Sequence, residues 1–501
     1  MSASRPSPSD PDWLAELSRC AELLEWLAED HTRLSVLDLE LRRRLMTAAG
    51  LISRPDRLAR RRLARAFRRR ELDDVRQADV ALLERTGMRA LRRALVYPTP
   101  LPADGVTRGA GSPSVDGELR QDRKCYVCKG TFRRVHVFYD AMCPACAELN
   151  WEKRHQTADV TGRVALVTGA RVKIVYQASM MLLRAGARVI AATRFPRDAA
   201  RRYAREPDFA HWGERLAIYG VDLRHTPSVE TFCREIVTRY ERLDFLLNNA
   251  CQTVRRPVGF YDHLMEGETE PAGSLPGAER RLLDGHERLG GATAVIARRA
   301  LVDSAQSSQV ALLEEDLRRG HDIFPAGQLD ADLQQVDLRD RNSWRLTLAE
   351  VSAVELLEVH LVNAVAPFVL NARLKPLMAR ERTFDKHIVN VSAMEGQFYR
   401  AFKTDKHPHT NMAKAALNMM TRTSAADYVT DGIHMNSVDT GWITDEDAAA
   451  LAERKRIDHD FSPPLDVVDG AARILDPIFA GLLSGKHVWG LFLKDYKPVA
   501  W

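Results

Sequence analysis

Apolar and polar positions follow two different periods along the 501-residue chain. Residues 12–97 carry an apolar side chain at every third or fourth position, as in "WLAELSRCAELLEWLAED", and this period predicts helices. From residue 159 onward, short apolar runs alternate with helical patterns, the first of which predicts a helix over 172–186. The runs are "RVALVTGA", "RVIAATR", "RLAIYGVDLR", "LDFLLNNA", "KHIVNVSAM" and "GIHMNSVDTG". Strands that alternate with helices in this way are typical of an α/β fold with a doubly wound parallel sheet.

A polar segment, residues 255–350, interrupts this alternation. It contains "MEGETEPAGSLPGAERR" and "RRGHDIFPAGQLDADLQ", which are rich in turn residues, and its apolar positions predict helices at 290–302 and 306–320. We interpret the segment as an insertion, part of it disordered, that forms a lid or an association surface.

The overall composition is that of a globular protein, with 45% hydrophobic and 28% charged residues. No run of about 18 apolar residues could span a bilayer. The first residues, "MSASRPSPSDPDW", lack the basic-then-apolar order of a signal peptide. We therefore expect a cytoplasmic protein that does not enter a membrane.

Positive charge is concentrated in residues 42–70, although the net charge of the chain is only +5. This stretch holds twelve arginines and a single acidic residue, Asp56. Such density could bind a nucleic-acid backbone or an acidic protein surface. A solvated helix face in an arginine-rich proteome is the alternative. No aromatic pattern strengthens the nucleic-acid interpretation, because Phe67 stands alone.

Four of the seven cysteines form two close pairs, C-x2-C, separated by fourteen residues. Each pair can place two thiolates on one ion, and two pairs complete a tetrahedron, so the spacing predicts a structural zinc site. The four predicted ligands are Cys125, Cys128, Cys143 and Cys146. A redox dithiol is the alternative. The alternating "RRVHVFY" between the pairs fits the hairpin of a zinc ribbon, and we expect His136 to lie on that hairpin rather than to bind the metal.

These patterns predict a doubly wound sheet, preceded by an α-helical region and a small zinc ribbon. The expected organisation is an arginine-rich helical region with its linker, 1–115; a zinc-ribbon-like module, 116–158; the first part of the sheet domain, 159–254; the insertion, 255–350; and the second part of the sheet domain, 351–501.

Several motifs in residues 159–254 and 351–501 resemble those of the short-chain dehydrogenase/reductase family, in the order that the family uses. They are "VTGARVKIV" (167–175) for the glycine-rich turn, "VDLR" (221–224), "NNAC" (248–251), the asparagine of "HLVNAVAPF", "NVSAMEG" (390–396), "TNMAKAALN" (410–418) and the final "HVWGLFLKDY". The resemblance implies a Rossmann-like fold, a nicotinamide dinucleotide cofactor and a small-molecule substrate that the sequence does not identify. It also implies a homo-oligomer formed through helices beside the active site, one of which carries Lys414.

The glycine-rich turn departs from the family pattern. Gly169 keeps the sharp bend, but Lys173 and Val175 replace two glycines that allow backbone approach to the pyrophosphate and close helix–strand packing. A lysine could replace the lost backbone contact with a positive charge, aided by Arg171 and the helix N-terminus.

By resemblance, the cofactor contacts fall on Gly169, Arg171, Lys173, Ile174, Arg194, Asp222, Leu223, Asn249, Ala250 and Lys414. The second strand of the domain ends in "AATRFPR", with Arg194 and Arg197 and no acid for a ribose 2′-hydroxyl. Arginine suits a 2′-phosphate, so NADP is favoured over NAD.

The catalytic positions are altered as well. By resemblance, an Asn, a Ser, a Tyr and a Lys carry out the proton transfer; Asn363 and Lys414 are present, whereas Ala393 takes the serine place and Thr410 the tyrosine place. Ser392 lies one residue early, which on a strand is the opposite face. Further candidate proton donors are His407, which lies where enoyl reductases of the family have their tyrosine, then His409 and, if the following loop folds back, Tyr399.

Two functions therefore remain open. The first is a divergent NADP-dependent oxidoreductase with altered catalytic residues. The second is a catalytically inactive binding protein, a scaffold or cofactor sensor, that recruits partners through its zinc and arginine-rich regions.

Overall fold

The computed structural model of the chain describes residues 13–100, 114–290, 303–318, 320, 322–399, 403–459 and 462–501. The chain divides into two compact units, Met1–Asp79 and Val80–Trp501.

The first unit is helical where it is described, as the sequence predicts. It consists of helices Trp13–Glu29 and Leu39–Ser53, a 3-10 helix His31–Val36, and most of a long helix Arg57–Leu83. Asp30 and Asp38 cap the helices that follow them, because their carboxylates accept hydrogen bonds from backbone N–H groups. No side chain of the first two helices is buried.

The second unit is built on an eight-stranded sheet and a separate two-stranded sheet. The strands are β1 Ser114–Lys124, β2 Thr131–His136, β3 Val164–Thr168, β4 Arg188–Thr193, β5 Leu216–Gly220, β6 Phe245–Asn248, β7 Lys386–Ser392, β8 Ile433–Asp439, β9 Phe492–Lys494 and β10 Lys497–Val499. The large sheet has the order β10-β9-β8-β7-β6-β3-β4-β5. All its neighbouring strands are parallel except β9 and β10. This is the predicted α/β architecture.

Helices connect the strands. In the second unit they are Gly87–Arg92, Pro144–Arg154, Lys173–Arg184, Pro196–Ala204, Phe209–Trp212, Thr226–Arg239, Asp262–Thr269, Gly277–Gly290, Ser304–Ser307, Ala353–His360, Ala366–Met378, Pro408–Val429, Ala449–His459 and Val467–Ser484. A π-helical turn, Leu361–Val365, joins Ala353–His360 to Ala366–Met378.

Helices cover both faces of the sheet, and the alternation of side chains along β3 shows this directly. Ala165 and Val167 belong to one buried cluster, with the helix that follows β3, whereas Val164 and Leu166 belong to a second cluster on the other face. A strand buried on both faces reads as a continuous apolar run, which explains "VALVT".

The cysteine-rich module is a hairpin followed by a helix. Strands β1 and β2 pair antiparallel and flank the first cysteine pair, while Cys143 is the N-cap of helix Pro144–Arg154 and Cys146 lies in its first turn. The module shares a core with the sheet domain, because Val135 and Tyr139 pack in one cluster with Leu465.

The helices predicted in the insertion are placed differently. The predicted helix 306–320 is wrong: over the part of this range that the structure describes, 306–318 and 320, the chain forms only the end of the short helix Ser304–Ser307 and a 3-10 helix Glu314–Leu317. The polar, turn-rich composition disfavours a longer helix here, despite the local apolar period. Asp316 instead fixes this segment by forming an ion pair with Arg255. The predicted helix 290–302 lies, except for its first residue, outside the described residues.

Among the described residues, one helical run, 353–378, is long and apolar enough to cross a membrane by length and composition. Leu370, Leu374 and Leu377 of this run are fully buried in the core beside the sheet. Packing in the core accounts for these leucines, whereas Leu357 and Phe368 of the same run are about 60% exposed.

Candidate functional site

A cleft of about 1310 Å³ opens where the parallel strands of the large sheet end. The carboxyl ends of β3, β4, β5, β6, β7 and β8 contribute Gly169, Arg194, Asp222, Asn249, Ser392 and Asp439 to its lining. Ligands of doubly wound folds bind at this edge, in the crevice beyond the strands. The volume is at the upper end for ligand pockets and is large enough for a dinucleotide.

The turn after β3 keeps the glycine that its geometry needs. Gly169 has φ +79°, and a Cβ there would lie 3.0 Å from the Cα of Ala250. Lys173, in contrast, adopts φ +60°, a left-handed conformation that favours glycine, as the first residue of its helix. The chain thus retains the bend of the family motif and tolerates backbone strain to place a lysine in the cleft lining.

Val175 does not close the cleft. It is 1% exposed and lies in the core between helix and sheet, with Ala170 and Ala178. Ile174 lines the cleft and also packs against Gly470, where a Cβ would come within 3.1 Å of the isoleucine. Gly470 of the last helix, Val467–Ser484, thus allows close approach of Ile174.

Several charged residues of the lining already have partners. The Arg171 guanidinium lies 2.7 Å from Asp198, and both oxygens of Asp222 accept hydrogen bonds from Arg224. Burial raises the pKa of Asp222, but the Arg224 guanidinium helps to hold it below its ordinary value. Asp222 is thus an ionised, internally paired carboxylate, and Arg224 extends its network to Glu358, 2.9 Å away.

Four cations of the lining have no carboxylate within ion-pair distance among the described residues. They are Lys129, Lys173, Arg194 and Lys414. Lys414 donates to the carbonyl oxygen of Val391 at 2.8 Å, and Arg194 donates to the hydroxyl of Tyr261 at 2.8 Å. Unpaired positive charge at the edge of a parallel sheet is suited to phosphate groups.

The end of β4 is partly occupied by the insertion. Glu268 accepts hydrogen bonds from the backbone N–H groups of Arg197 and Asp198, so it caps helix Pro196–Ala204. Burial raises the pKa of Glu268 to about 7. Arg197 is also within 3.5 Å of Glu287, which leaves Arg194 as the cation available at this position.

The remaining cofactor candidates form the floor of the cleft. The backbone N–H groups of Asn249 and Ala250 both donate to the Thr168 hydroxyl at 3.1 Å, which fixes the turn after β6. Leu223 lines the same cleft after β5. All the residues assigned to the cofactor by resemblance lie in the lining.

Lys414, Thr410 and Ser392 come together in the lining at the end of β7. The Thr410 and Ser392 hydroxyl oxygens are buried and have no hydrogen-bond partner among the residues that the structure describes. Ser392 and Ala393 both border the cleft, because β7 ends at Ser392. Strand alternation therefore does not exclude Ser392 from the site, contrary to the expectation of an opposite face.

His407 lines the cleft and is held in one orientation. Its ring stacks on Trp344, with centroids 3.8 Å apart and planes 4° from parallel, and Nδ1 lies 3.0 Å from the Trp344 carbonyl oxygen. A carbonyl only accepts, so Nδ1 carries the hydrogen and Nε2 is the basic nitrogen. Burial lowers the pKa of His407, which favours the neutral ring.

Three catalytic candidates do not line the cleft. The Asn363 amide bonds the backbone of Gln252, accepting at 2.8 Å and donating at 3.3 Å, from within the π-helical turn. His409 faces Glu355, with Nε2 3.5 Å from a carboxylate oxygen. Tyr399 is 49% exposed and is also absent from the lining.

The sequence did not single out several residues that the structure brings to the cleft. Trp344 and Asp337 come from the insertion, and Tyr126 and Lys129 from the cysteine-rich module. The insertion is thus part of the wall of the cleft. One feature of the sequence could have drawn attention to Lys129. It directly follows the C-x2-C pair, at a tight turn, where glycine is common.

The four paired cysteines converge. Their sulfur atoms all lie within 4.8 Å of one another, and Cys128 Sγ is 3.7 Å from Cys143 Sγ. Hydrogen bonds, first of all from the Gly130 backbone, lower the pKa of Cys128 to about 7, whereas burial raises the pKa of Cys143 and of Cys146. Binding of an ion would therefore have to displace the protons of these two thiols. The donor set and its compactness fit one tetrahedral ion.

Solved structures to which the chain is similar include a Pseudomonas aeruginosa RhlG/NADP active-site complex, which is 17% identical, covers 67% of this chain and 95% of its own, and has a TM-score of 0.42. NADPH-bound carbonyl reductase from chicken fatty liver is 17% identical, with coverages of 68% and 100% and a TM-score of 0.39.

Among curated proteins, Uncharacterized protein R665 of Acanthamoeba polyphaga mimivirus is 30% identical over 392 residues, 75% of this chain and 74% of the viral protein. Short chain dehydrogenase/reductase dpchH of Colletotrichum higginsianum is 34% identical over 105 residues, 20% of this chain and 25% of the fungal protein.

Two family models match the sheet domain. Residues 163–264 match the model described as short chain dehydrogenase, and residues 327–463 match the one described as Enoyl-(Acyl carrier protein) reductase. The first match covers the turn after β3 and the strand ends up to Asn249, and the second covers the segment with Lys414. Motifs, sheet order and family matches agree: the chain belongs to the short-chain dehydrogenase/reductase family.

Proposed function

We propose that the chain is a divergent NADP-dependent oxidoreductase that acts on a small molecule of unknown structure. The observation that carries this proposal is the dinucleotide-sized cleft at the strand ends, which holds Lys173, Arg194 and Lys414 with no carboxylate within 4.0 Å of their charged groups among the described residues. Asp332 and Asp222 lie further off and act on Lys173 and Arg194 only through longer-range electrostatics. A cleft that had lost its ligand would gain stability by pairing or losing such charges.

Each cation has a distinct role in the proposal. Lys173 holds the pyrophosphate at the start of its helix, Arg194 holds the 2′-phosphate, and Lys414 holds the nicotinamide ribose. When bound, the nicotinamide supplies hydride transfer. Glu268 already accepts the hydrogen bonds of the backbone N–H groups at the start of the helix after β4, so these groups are not available to a 2′-phosphate. In the proposal, Arg194 alone therefore discriminates NADP from NAD.

We assign proton transfer to His407. Because burial lowers its pKa, the His407 ring is largely neutral near pH 7 and is available at Nε2 as a weak general base, which suits removal of a proton from an alcohol during its oxidation. Thr410 and Ser392, with buried and unpaired hydroxyls, orient the substrate oxygen. Asn363 acts indirectly, by positioning Gln252 at the cleft wall.

Titration of the protein with NADPH and NADH, followed by nucleotide fluorescence, tests the proposal. We expect NADPH to bind more tightly than NADH, Lys414→Ala to weaken NADPH binding roughly tenfold, and His407→Ala to leave it unchanged. Binding of neither nucleotide would refute the oxidoreductase function. Equal losses in both variants would contradict the separate roles of Lys414 and His407.

The paired cysteines are proposed to hold one structural zinc ion. Four thiolates close the coordination sphere, so the ion would stabilise the module without an open position for catalysis.

A second candidate function, partner binding, is favoured by the first unit. Its helices leave Leu14, Leu23, Leu51 and Phe67 more than 60% exposed beside the arginines of residues 42–70. We propose that this unit binds an acidic protein or a nucleic acid. Binding to a DNA duplex that weakens steeply between 50 and 200 mM salt would identify nucleic acid; no binding at low salt would leave an acidic protein.

Self-association is proposed through the helices beside the cleft. Phe368, Met412 and Met419 are at least half exposed on two of these helices, which suits burial against a second copy. Sedimentation of the purified protein at several concentrations should show a dimer or tetramer; a monomer throughout would refute this interface.

A further inference from the structure

The loop that carries the first cysteine pair contributes both to the cysteine cluster and to the wall of the cleft. Tyr126 and Lys129, within the loop that carries Cys125 and Cys128, both line the cleft. The module therefore contributes side chains to the proposed cofactor and substrate site.

This loop is fixed against the sheet domain. The Tyr126 hydroxyl accepts a hydrogen bond from the backbone N–H of Trp442 at 2.9 Å, in the segment that follows β8. The same hydroxyl would lie 3.2 Å from a Cβ at Gly441, so the two segments are in close contact. Contacts with the segment after β8 therefore help to fix the loop, in addition to contacts within the module.

Lys129 repeats the unusual feature of Lys173. Its φ is +62°, and that of Lys173 is +60°, so both lysines occupy backbone positions that favour glycine. Both line the same cleft, and neither has a carboxylate within ion-pair distance among the residues that the structure describes. Strained residues that persist in a fold are concentrated at ligand sites.

The Lys129 ammonium retains the capacity to bind an anion. It donates to the carbonyl oxygen of Tyr126 and lies 5.1 Å from the centroid of that ring. An ammonium has three donors, so two remain for a ligand.

We propose that Lys129 binds an anionic group, a phosphate or carboxylate, of the ligand in the cleft, and that the zinc-binding loop is therefore part of the ligand site. The inference rests on the proposed function in so far as the cleft binds a cofactor. The source of the anion is either the cofactor itself or a second molecule bound beside it.

Lys129→Gly is the decisive variant, because it removes the charge and supplies the residue that the backbone favours. Lys124→Ala is the matched control, since Lys124 is an exposed lysine of the same module outside the cleft lining. Both variants should retain wild-type zinc content and far-UV circular dichroism. Loss of zinc in Lys129→Gly alone would show that the lysine only neutralises the thiolate charge, which would overturn the proposal.

The ligand measurement has two arms, NADPH titration of the free protein and inorganic phosphate titration of the NADPH-saturated protein. A roughly tenfold loss of NADPH affinity in Lys129→Gly identifies a cofactor phosphate. Unchanged NADPH affinity with a roughly tenfold loss of phosphate affinity identifies an anion of the second ligand. If Lys129→Gly behaves like Lys124→Ala in both arms, the proposal is overturned.

Failure of the cofactor proposal can be distinguished from failure of the Lys129 proposal. If the wild-type protein binds no NADPH, the cofactor-free protein is titrated with inorganic phosphate and pyrophosphate. Weaker binding in Lys129→Gly than in Lys124→Ala then supports the anion site without a dinucleotide, and equal binding, or none in the wild type, overturns it.

Discussion

Lys173 illustrates how a departure from a motif acquires meaning once its backbone conformation is known. The left-handed φ of this position favours glycine, so a lysine there lowers the stability of the folded chain. The sequence alone allows two interpretations, a degraded motif or a functional replacement. The unpaired ammonium in the cleft lining favours the second.

Lys173→Gly should therefore separate stability from binding. We expect the free energy of unfolding to rise by roughly 0.5–1 kcal/mol, because left-handed strain is relieved. We expect NADPH affinity to fall roughly fivefold or more, because a charge beside the pyrophosphate is lost. Urea unfolding and NADPH titration measure the two effects.

Lys173→Arg serves as the control for charge and should keep most of the NADPH affinity. A gain in affinity in Lys173→Gly would instead show that the lysine obstructs the pyrophosphate site, and the functional interpretation would be withdrawn.

At the scale of secondary-structure elements, the zinc loop and the helix that begins at Cys143 depend on each other. The metal would join a hairpin turn to the first turn of a helix, beside the apolar cluster in which Cys125 is buried and against which Cys143 and Cys146 pack. Metal-dependent modules of this kind lose structure when a ligand is removed.

Metal analysis should find about one zinc per chain, and Cys128→Ser should remove most of it and lower the melting temperature. Cys20→Ser is the control, because Cys20 is an exposed cysteine outside the cluster. A wild-type protein that is folded, reduced and free of metal would contradict the assignment, as would unchanged zinc content in Cys128→Ser.

The starts of β7 and β8 hold a second group of titratable residues, which affects stability instead of binding. His387 is fully buried, with Nε2 3.0 Å from Nδ1 of His487, and its ring lies 5.3 Å from that of His434. Burial and the two neighbouring histidines hold the pKa of His387 well below its ordinary value. Asp385 is the acidic neighbour, and it acts on His434 and His487.

Stability should therefore fall in acid. Below about pH 6.5 the unfolded chain binds a proton at His387 that the folded chain excludes, so the free energy of unfolding decreases as the pH falls. The loss is about 1 kcal/mol for this residue at pH 5.5. Urea unfolding at pH 5.5, 6.5 and 7.5 should show this slope, and His387→Gln should reduce it; an unchanged slope in the variant would exclude His387 as its source.

At the scale of the whole second unit, buried charges bind the cysteine-rich module to the last helix of the sheet domain. Arg154 lies 2.6 Å from Asp466 and 3.1 Å from Asp469, and the Tyr139 hydroxyl donates to Asp469 at 2.6 Å. Arg473 of the same helix donates to the Asn150 side chain at 2.7 Å. We therefore expect module and sheet domain to unfold together.

Arg154→Ala should cost about 3–5 kcal/mol of unfolding free energy, because two buried carboxylates lose their shared cation. The variant should still unfold in one cooperative transition. Denaturant titrations that are monitored by tryptophan fluorescence and by zinc release measure this. Arg154→Lys should restore part of the stability. A separate early transition for zinc release in the wild type would contradict cooperative unfolding of module and sheet domain.

The sequence by itself determined the elements whose signal is local: the helical first unit, the strand–helix alternation, the converging cysteines and the position of the glycine-rich turn. Each depends on residues that are neighbours in the chain, so a period or a spacing suffices. Tertiary structure alone decided that Val175 packs into the core, that Asn363 lies outside the cleft lining and bonds the backbone of Gln252, and that Asp222 is paired with Arg224. It also decided that Lys129 and Trp344 reach one cleft from segments more than 200 residues apart. Contacts between distant segments leave no periodic trace in a single sequence, because the free energy that selects them comes from packing and charge pairing in the folded chain.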